Sequence, residues 1–158
     1  MTEQFPVPEI VERPEQHLAV VRETVAFDAI PGLYDRAYPE IFGALGRAGI
    51  GPAAAPMGVM HGQPGAELDL SVAVPVAAPF AGDGMVSAET IPAGRAATLL
   101  VRGDYGLLAA AYEHLFAWIA EQGLTPTGLS WEQYLTEPEP GGGDPAQNET
   151  LIAAGLQD

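Results

Sequence analysis

The sequence predicts an α+β fold: two β-α-β-β units related by a pseudo-twofold axis, two helices against an antiparallel sheet, and a ligand cleft between the halves. Three observations predict it. Short strand-type runs outnumber helical ones, and only two stretches carry apolar residues at helical spacing. The order strand, helix, strand, strand then occurs twice. Finally, a shift of 74 residues lays the first helical stretch on the second: Tyr38 falls on Tyr112, Ile41 on Leu115, Phe42 on Phe116, Leu45 on Ile119, Gly49 on Gly123 and Ile50 on Leu124.

Each element has a local cause. Ile10 to Arg22 reads as a β-segment centred on Leu18-Ala19-Val20-Val21. Pro31 suits the first turn of a helix, where its missing N–H costs nothing. Leu33, Ala37, Ile41, Ala44, Leu45 and Ala48 continue that helix until Gly49 stops it. Met57 to His61 is a short strand, and Gly62-Gln63-Pro64-Gly65 a turn. From Glu67 to Val76 the chain alternates, with Leu68, Leu70, Val72 and Val74 on one face and Glu67, Asp69, Ser71 and Ala73 on the other, where Glu67 and Asp69 are expected to meet solvent.

The loop Pro79 to Gly84 divides one domain, residues 1–158, into halves at about 10–78 and 85–156. Strands are then expected over Val86 to Ile91 and Arg95 to Arg102. Gly106 to Gln122 is helical, with Leu108, Ala111, Tyr112, Leu115, Phe116 and Ile119 as its apolar stripe. Leu129 to Glu137 is a strand, Pro140 to Asp144 an acidic loop, and Glu149 to Leu156 the last strand.

Composition narrows the function. The 158 residues include 21 acidic and six basic side chains, every basic one an Arg, for a net charge of −15. Such a chain repels phosphate backbones, so no direct nucleic-acid partner is expected. No run approaches the roughly 18 apolar residues of a membrane span, so no membrane partner is expected. Met1 to Glu15 lacks the basic start and apolar run of a signal peptide, which makes the cytoplasm the expected location. Zero Cys and zero Lys leave no thiolate metal site, thiol nucleophile or Schiff base. His17, His61 and His114 lack ligand spacing, so neither a metal nor a cofactor is expected.

The most informative segment is Trp131-Glu132-Gln133-Tyr134. In a strand, Glu132, Tyr134 and Thr136 share one face, and Trp131, Gln133 and Leu135 the other. A carboxylate beside a phenol on a half-apolar face must be solvated, paired or placed to meet a cation. Gly58-Val59-Met60-His61-Gly62, the corresponding region of the first half, offers no carboxylate.

These elements resemble the GyrI-like effector-binding domain, also found as the C-terminal drug-binding half of multidrug-responsive MerR-type regulators. The resemblance spans about Ile10 to Leu156. It is carried by Ile91-Pro92-Ala93-Gly94-Arg95-Ala96-Ala97, Gly103-Asp104-Tyr105, the helix with Leu108, Tyr112, Leu115 and Trp118, Trp131 through Pro138, and Asn148-Glu149-Thr150-Leu151-Ile152. It implies a duplicated, SHS2-like fold and an aromatic cleft whose buried strand Glu, here Glu132, attracts lipophilic cations. With about ten residues before the first strand, the chain resembles a stand-alone member that sequesters or senses drugs. Some stand-alone relatives resemble hydrolases of cyclopropane-containing alkylating compounds.

The expected partner is therefore a hydrophobic cationic or aromatic small molecule. Glu132 and Tyr134 lead the candidate ligand-binding residues. Tyr38 and Tyr112 follow from the helices, Tyr34 lies one turn before Tyr38, and Met60, His61 and Trp131 complete the set. Core packing is the competing role for the tyrosines, and packing against a helix for Trp131. If the chain is an enzyme, Glu132 with Glu67 or a Tyr hydroxyl would supply acid and base. His114 and Trp118 suit a local cover or a dimer contact, and a homodimer or partner protein stays open. Three readings thus remain: a binder of lipophilic cations, a hydrolase acting in the same cleft, and a protein-interaction module.

Overall fold

The computed structural model describes residues 5–62, 66–103, 105–136 and 148–157. It is an α+β structure with two helices packed on antiparallel β-sheet. The chain divides into two compact units, one of Pro14–Ala93 and one of Met1–Arg13 with Gly94–Asp158.

In the Pro14–Ala93 unit, β2 (Gln16–Ala26), β3 (Met57–His61), β4 (Glu67–Val76) and β5 (Ser87–Ile91) run antiparallel to their neighbours in the order β3-β4-β2-β5. Helix α1 (Ile30–Ala48) covers one face. Its Leu33, Ala37, Ile41, Ala44 and Leu45 are buried against Ala19, Val21 and Val25 of β2 and Leu68, Leu70, Val72 and Val74 of β4. Pro31 sits in the first turn as expected, and Gly49 ends the helix in the left-handed region at φ 71°, where a Cβ would be strained. Pro39 lies inside α1 and removes one helical hydrogen bond. The buried stripe on either side of Pro39 outweighs that cost.

In the other unit, β1 (Glu9–Arg13), β6 (Gly94–Arg102), β7 (Pro126–Tyr134) and β8 (Glu149–Leu156) lie in the order β1-β6-β8-β7. Helix α2 (Leu108–Glu121), entered through a 3-10 turn at Tyr105–Leu107, packs on this sheet. Ala111, Leu115 and Ile119 are buried against Ala97, Leu99 and Val101 of β6 and Ile152, Ala154 and Leu156 of β8.

Several expectations change. The single segment from Ile10 to Arg22 is two strands, because Pro14 breaks the ladder and β1 pairs with β6 while β2 pairs with β4 and β5. Strand β7 begins at Pro126 and ends at Tyr134, with a register shift between Pro126 and Ser130. Thr136 lies beyond it, accepting from the Glu149 N–H at 3.1 Å. On the second face of β4, Glu67 is exposed and Asp69 partly exposed, but Ser71 and Ala73 further along are fully buried. Phe116 is not part of the buried stripe: it is 38% exposed and stacks on Tyr112. Gln63 to Gly65 and Pro140 to Asp144 lie outside the described residues. No helix among the described residues is long and apolar enough to cross a membrane.

Candidate functional site

Strand β7 and helix α2 build the site around Glu132. Two residues apart on one strand face, Glu132 and Tyr134 project the same way, and the Tyr134 hydroxyl donates to Glu132 Oε1 at 2.8 Å. Opposite Glu132 on β8 lies the buried Ile152, so that face belongs to the apolar layer beneath α2. From α2, the Tyr112 hydroxyl donates to Glu132 Oε2 at 2.9 Å. Each carboxylate oxygen thus accepts one phenol hydrogen bond, and the Tyr112 bond ties the helix to the strand.

Two opposing effects set the charge state. Burial pushes the Glu132 carboxyl above its ordinary value, and this is the larger effect. The hydrogen bonds from Tyr134 and Tyr112 pull it back toward ionisation. Glu132 is nevertheless partly exposed, not the sealed acid that the resemblance implies. The surrounding rings form a surface cluster rather than a closed cavity: Phe116 stacks on Tyr112 with centroids 6.4 Å apart and planes at 21°.

The Pro14–Ala93 unit carries its own aromatic row. Tyr34, Tyr38 and Phe42, spaced by four residues on α1, place successive centroids 5.7 and 6.2 Å apart. Tyr34, Tyr38 and Met60 are partly buried against that unit's core, and the Tyr38 hydroxyl donates to the Met57 carbonyl at 3.3 Å. A surface groove of about 610 Å³ also follows α1, lined in part by Asp35, Arg36, Glu40, Arg47 and Met85. It holds none of the candidate residues, and its two arginines are paired, Arg36 with Glu23 and Arg47 with Asp83.

Trp131 and His61 do not join these aromatics. Trp131 pairs with Ala153 on the reverse face of β7 and is buried. The Arg13 guanidinium, not a helix, covers its ring at 4.6 Å, and burial there lowers the arginine's proton affinity. His61 also lies on the sheet face away from its helix. Its Nε2 is 3.1 Å from Ser71 Oγ and 3.2 Å from Glu89 Oε2, and the Ser71 hydroxyl donates to Glu89 Oε1 at 2.8 Å.

The acids near His61 in the sequence go elsewhere. Glu67 is exposed, while Asp69 accepts two hydrogen bonds from Arg22, at 2.9 and 2.7 Å, that hold its carboxyl below its usual range. Among the described residues, no three His, Cys, Asp or Glu side chains gather to hold a metal ion. Ser71, Glu89 and Arg13 were not foreseen in any of these roles. For Phe42 and Phe116, the four-residue aromatic spacing from Tyr38 and Tyr112 was a readable signal. His114, expected in a local cover or a dimer contact, donates from Nε2 to the Pro6 carbonyl at 3.1 Å.

The site is thus a strand carboxylate held by two phenols on the sheet face that α2 covers. The chain belongs to the family of the GyrI-like small molecule binding domain, whose model matches residues 6–153. The crystal structure of the EcmrR C-terminal domain is similar over 99% of both chains, with TM-score 0.82 and 22% identity. In an EcmrR–DNA complex the match covers 98% of this chain, with TM-score 0.81 and 22% identity, but the chain spans only 58% of that EcmrR chain. The protein SAV2435, bound to tetraphenylphosphonium, is similar with TM-score 0.71 and 15% identity over 95% of this chain and 93% of its own. A hydrolase from Listeria innocua gives TM-score 0.62 and 12% identity over 95% and 91%. At these identities the likeness shows the fold. No match was found among curated proteins.

Proposed function

We propose that this protein binds lipophilic cationic or aromatic small molecules at the Tyr112–Glu132–Tyr134 cluster, as a drug sink or as a sensor. The observation that carries the reading is one carboxylate, partly withdrawn from water and accepting a phenol on each oxygen. Because the charge is poorly solvated, a cation placed against it gains more than it would at an open surface. The ring faces of Tyr112, Tyr134 and Phe116 add cation–π attraction of about 0.5–2 kcal/mol each. The tetraphenylphosphonium bound to SAV2435 makes that ion the natural first probe. The two units share one element order, β2-α1-β3-β4 and β6-α2-β7-β8, which supports an internal duplication.

Calorimetric titration with tetraphenylphosphonium tests the reading. Two unit charges about 5 Å apart at an effective dielectric of about 20 attract by about 3 kcal/mol, so Glu132→Gln is expected to weaken binding about 100-fold. Affinity in the wild type should fall as pH drops through the raised pKa of Glu132, where the carboxylate takes up its proton. Equal affinity in wild type and variant would defeat the ionic part of the proposal.

A second reading, hydrolysis of electrophilic cyclopropane compounds, has one observation in its favour. A carboxyl with raised proton affinity, next to two phenols, is a proton-transferring set. Product analysis after incubation with such compounds would show water addition if it holds.

A further inference from the structure

Residues 5–13, ending in β1, grip both elements that build the Glu132 site. At one end, Phe5 packs on the α2 core cluster and lies 5.6 Å from the His114 ring, while His114 Nε2 donates to the Pro6 carbonyl at 3.1 Å. Next, Glu9 to Arg13 pair with β6, and the Thr98 hydroxyl donates to the Glu9 carbonyl at 3.4 Å. At the other end, the Arg13 guanidinium covers Trp131, the neighbour of Glu132 on β7. His114 lies two residues from Tyr112 on α2. The same short stretch therefore holds the helix that supplies Tyr112 and the strand that supplies Glu132.

We infer that residues 5–13 form a clasp that reads the Tyr112–Glu132 bond, so that occupancy of the site changes how tightly this segment is held. This rests on the Glu132 site being the ligand site. A cation pressed against Glu132 competes with the two phenols for the carboxylate. Displacing Tyr112 releases its bond to Glu132, which joins α2 to β7, and a shift of one against the other is felt by the segment bound to both. Coupling is reciprocal: if the ligand loosens the clasp, loosening the clasp tightens the ligand. The segment also pairs with β6, so a change in its hold is transmitted as backbone motion, which an attached domain or partner could sense.

Hydrogen exchange of the amides in residues 5–13, with β8 amides as reference for the stability of the same unit, tests this in two arms. Without ligand, Tyr112→Phe removes the bond, and exchange across 5–13 should accelerate at least about fivefold relative to β8. With tetraphenylphosphonium, the wild type should show the same acceleration, and Phe5→Ala with His114→Ala should lower its Kd at least about fivefold. Unchanged exchange in Tyr112→Phe, with β8 protection intact, overturns the clasp even if the ligand binds. If tetraphenylphosphonium fails to bind the wild type, the proposed function fails for that cation and the ligand-free arm alone decides the clasp.

Discussion

Replacing Glu132 by Gln preserves the shape of the side chain and removes its charge, so the protein's stability should respond in a pH-dependent way. In the wild type, phenol hydrogen bonds at 2.9 and 2.8 Å favour the ionised form, each by about 1.5–3 kcal/mol. Withdrawal from water opposes ionisation by several kcal/mol, and it prevails, because the net displacement is upward. The folded state therefore keeps its proton to higher pH than the unfolded chain does. Between the ordinary glutamate value and the raised one, the native state binds more protons, so this group's contribution to stability falls as pH rises. Above that window a constant penalty remains, about 1.4 kcal/mol for every unit of the rise.

An amide at this position does not titrate, so the penalty vanishes in the variant. Urea unfolding of both proteins from about pH 4 to pH 8 should show Glu132→Gln gaining on the wild type with increasing pH. At the acid end the variant should be equal or slightly weaker, since the amide can accept only one of the two phenols. A stability difference that is flat across the range, or that grows in favour of the wild type toward pH 8, would refute the view that desolvation governs this carboxylate.

Two further outcomes concern the framework. Leu115→Ala empties the centre of the α2 core, where Leu115 is fully buried, and should cost about 2–5 kcal/mol in thermal or urea unfolding; a loss below about 1 kcal/mol would mean that α2 contributes little to its unit. Ser71→Ala deletes the buried hydroxyl between His61 and Glu89 and should cost about 1–3 kcal/mol, whereas a variant within about 0.5 kcal/mol of wild type would make that network incidental.

Where the chain's local pattern and its tertiary role agree, the elements were legible. Met57 to His61, Glu67 to Val76 and Glu149 to Leu156 fall where alternation places them. Helix α1 runs from the residue before Pro31 to the one before Gly49, because Pro and Gly act on the backbone locally, whatever packs nearby. The misreading of Ile10 to Arg22 has the opposite origin. Both sides of Pro14 favour strand, and nothing within them records that β1 pairs with β6 and β2 with β4. Pairing partners are a long-range property, and only the missing N–H of Pro14 marked the break.

The site divides along the same line. Glu132 and Tyr134 could be placed together because strand periodicity is a two-residue rule, and their hydrogen bond is its direct product. Tyr112 could be nominated from helical spacing and the 74-residue repeat, but its reach to Glu132 depends on how α2 lies over β7 and β8. The Ser71–His61–Glu89 contact was invisible because it joins three strands, and a buried Ser on an alternating strand looks like any outward polar residue. Trp131 shows the limit most clearly. Alternation turned it away from Glu132 correctly, yet its cover is an Arg from the far end of the sequence rather than a helix. The same rule that separates Trp131 from the carboxylate also puts the site on one face of β7 and the clasp's hold on the other. If the proposed clasp holds, a ligand-driven shift of that strand is felt on the face opposite Glu132.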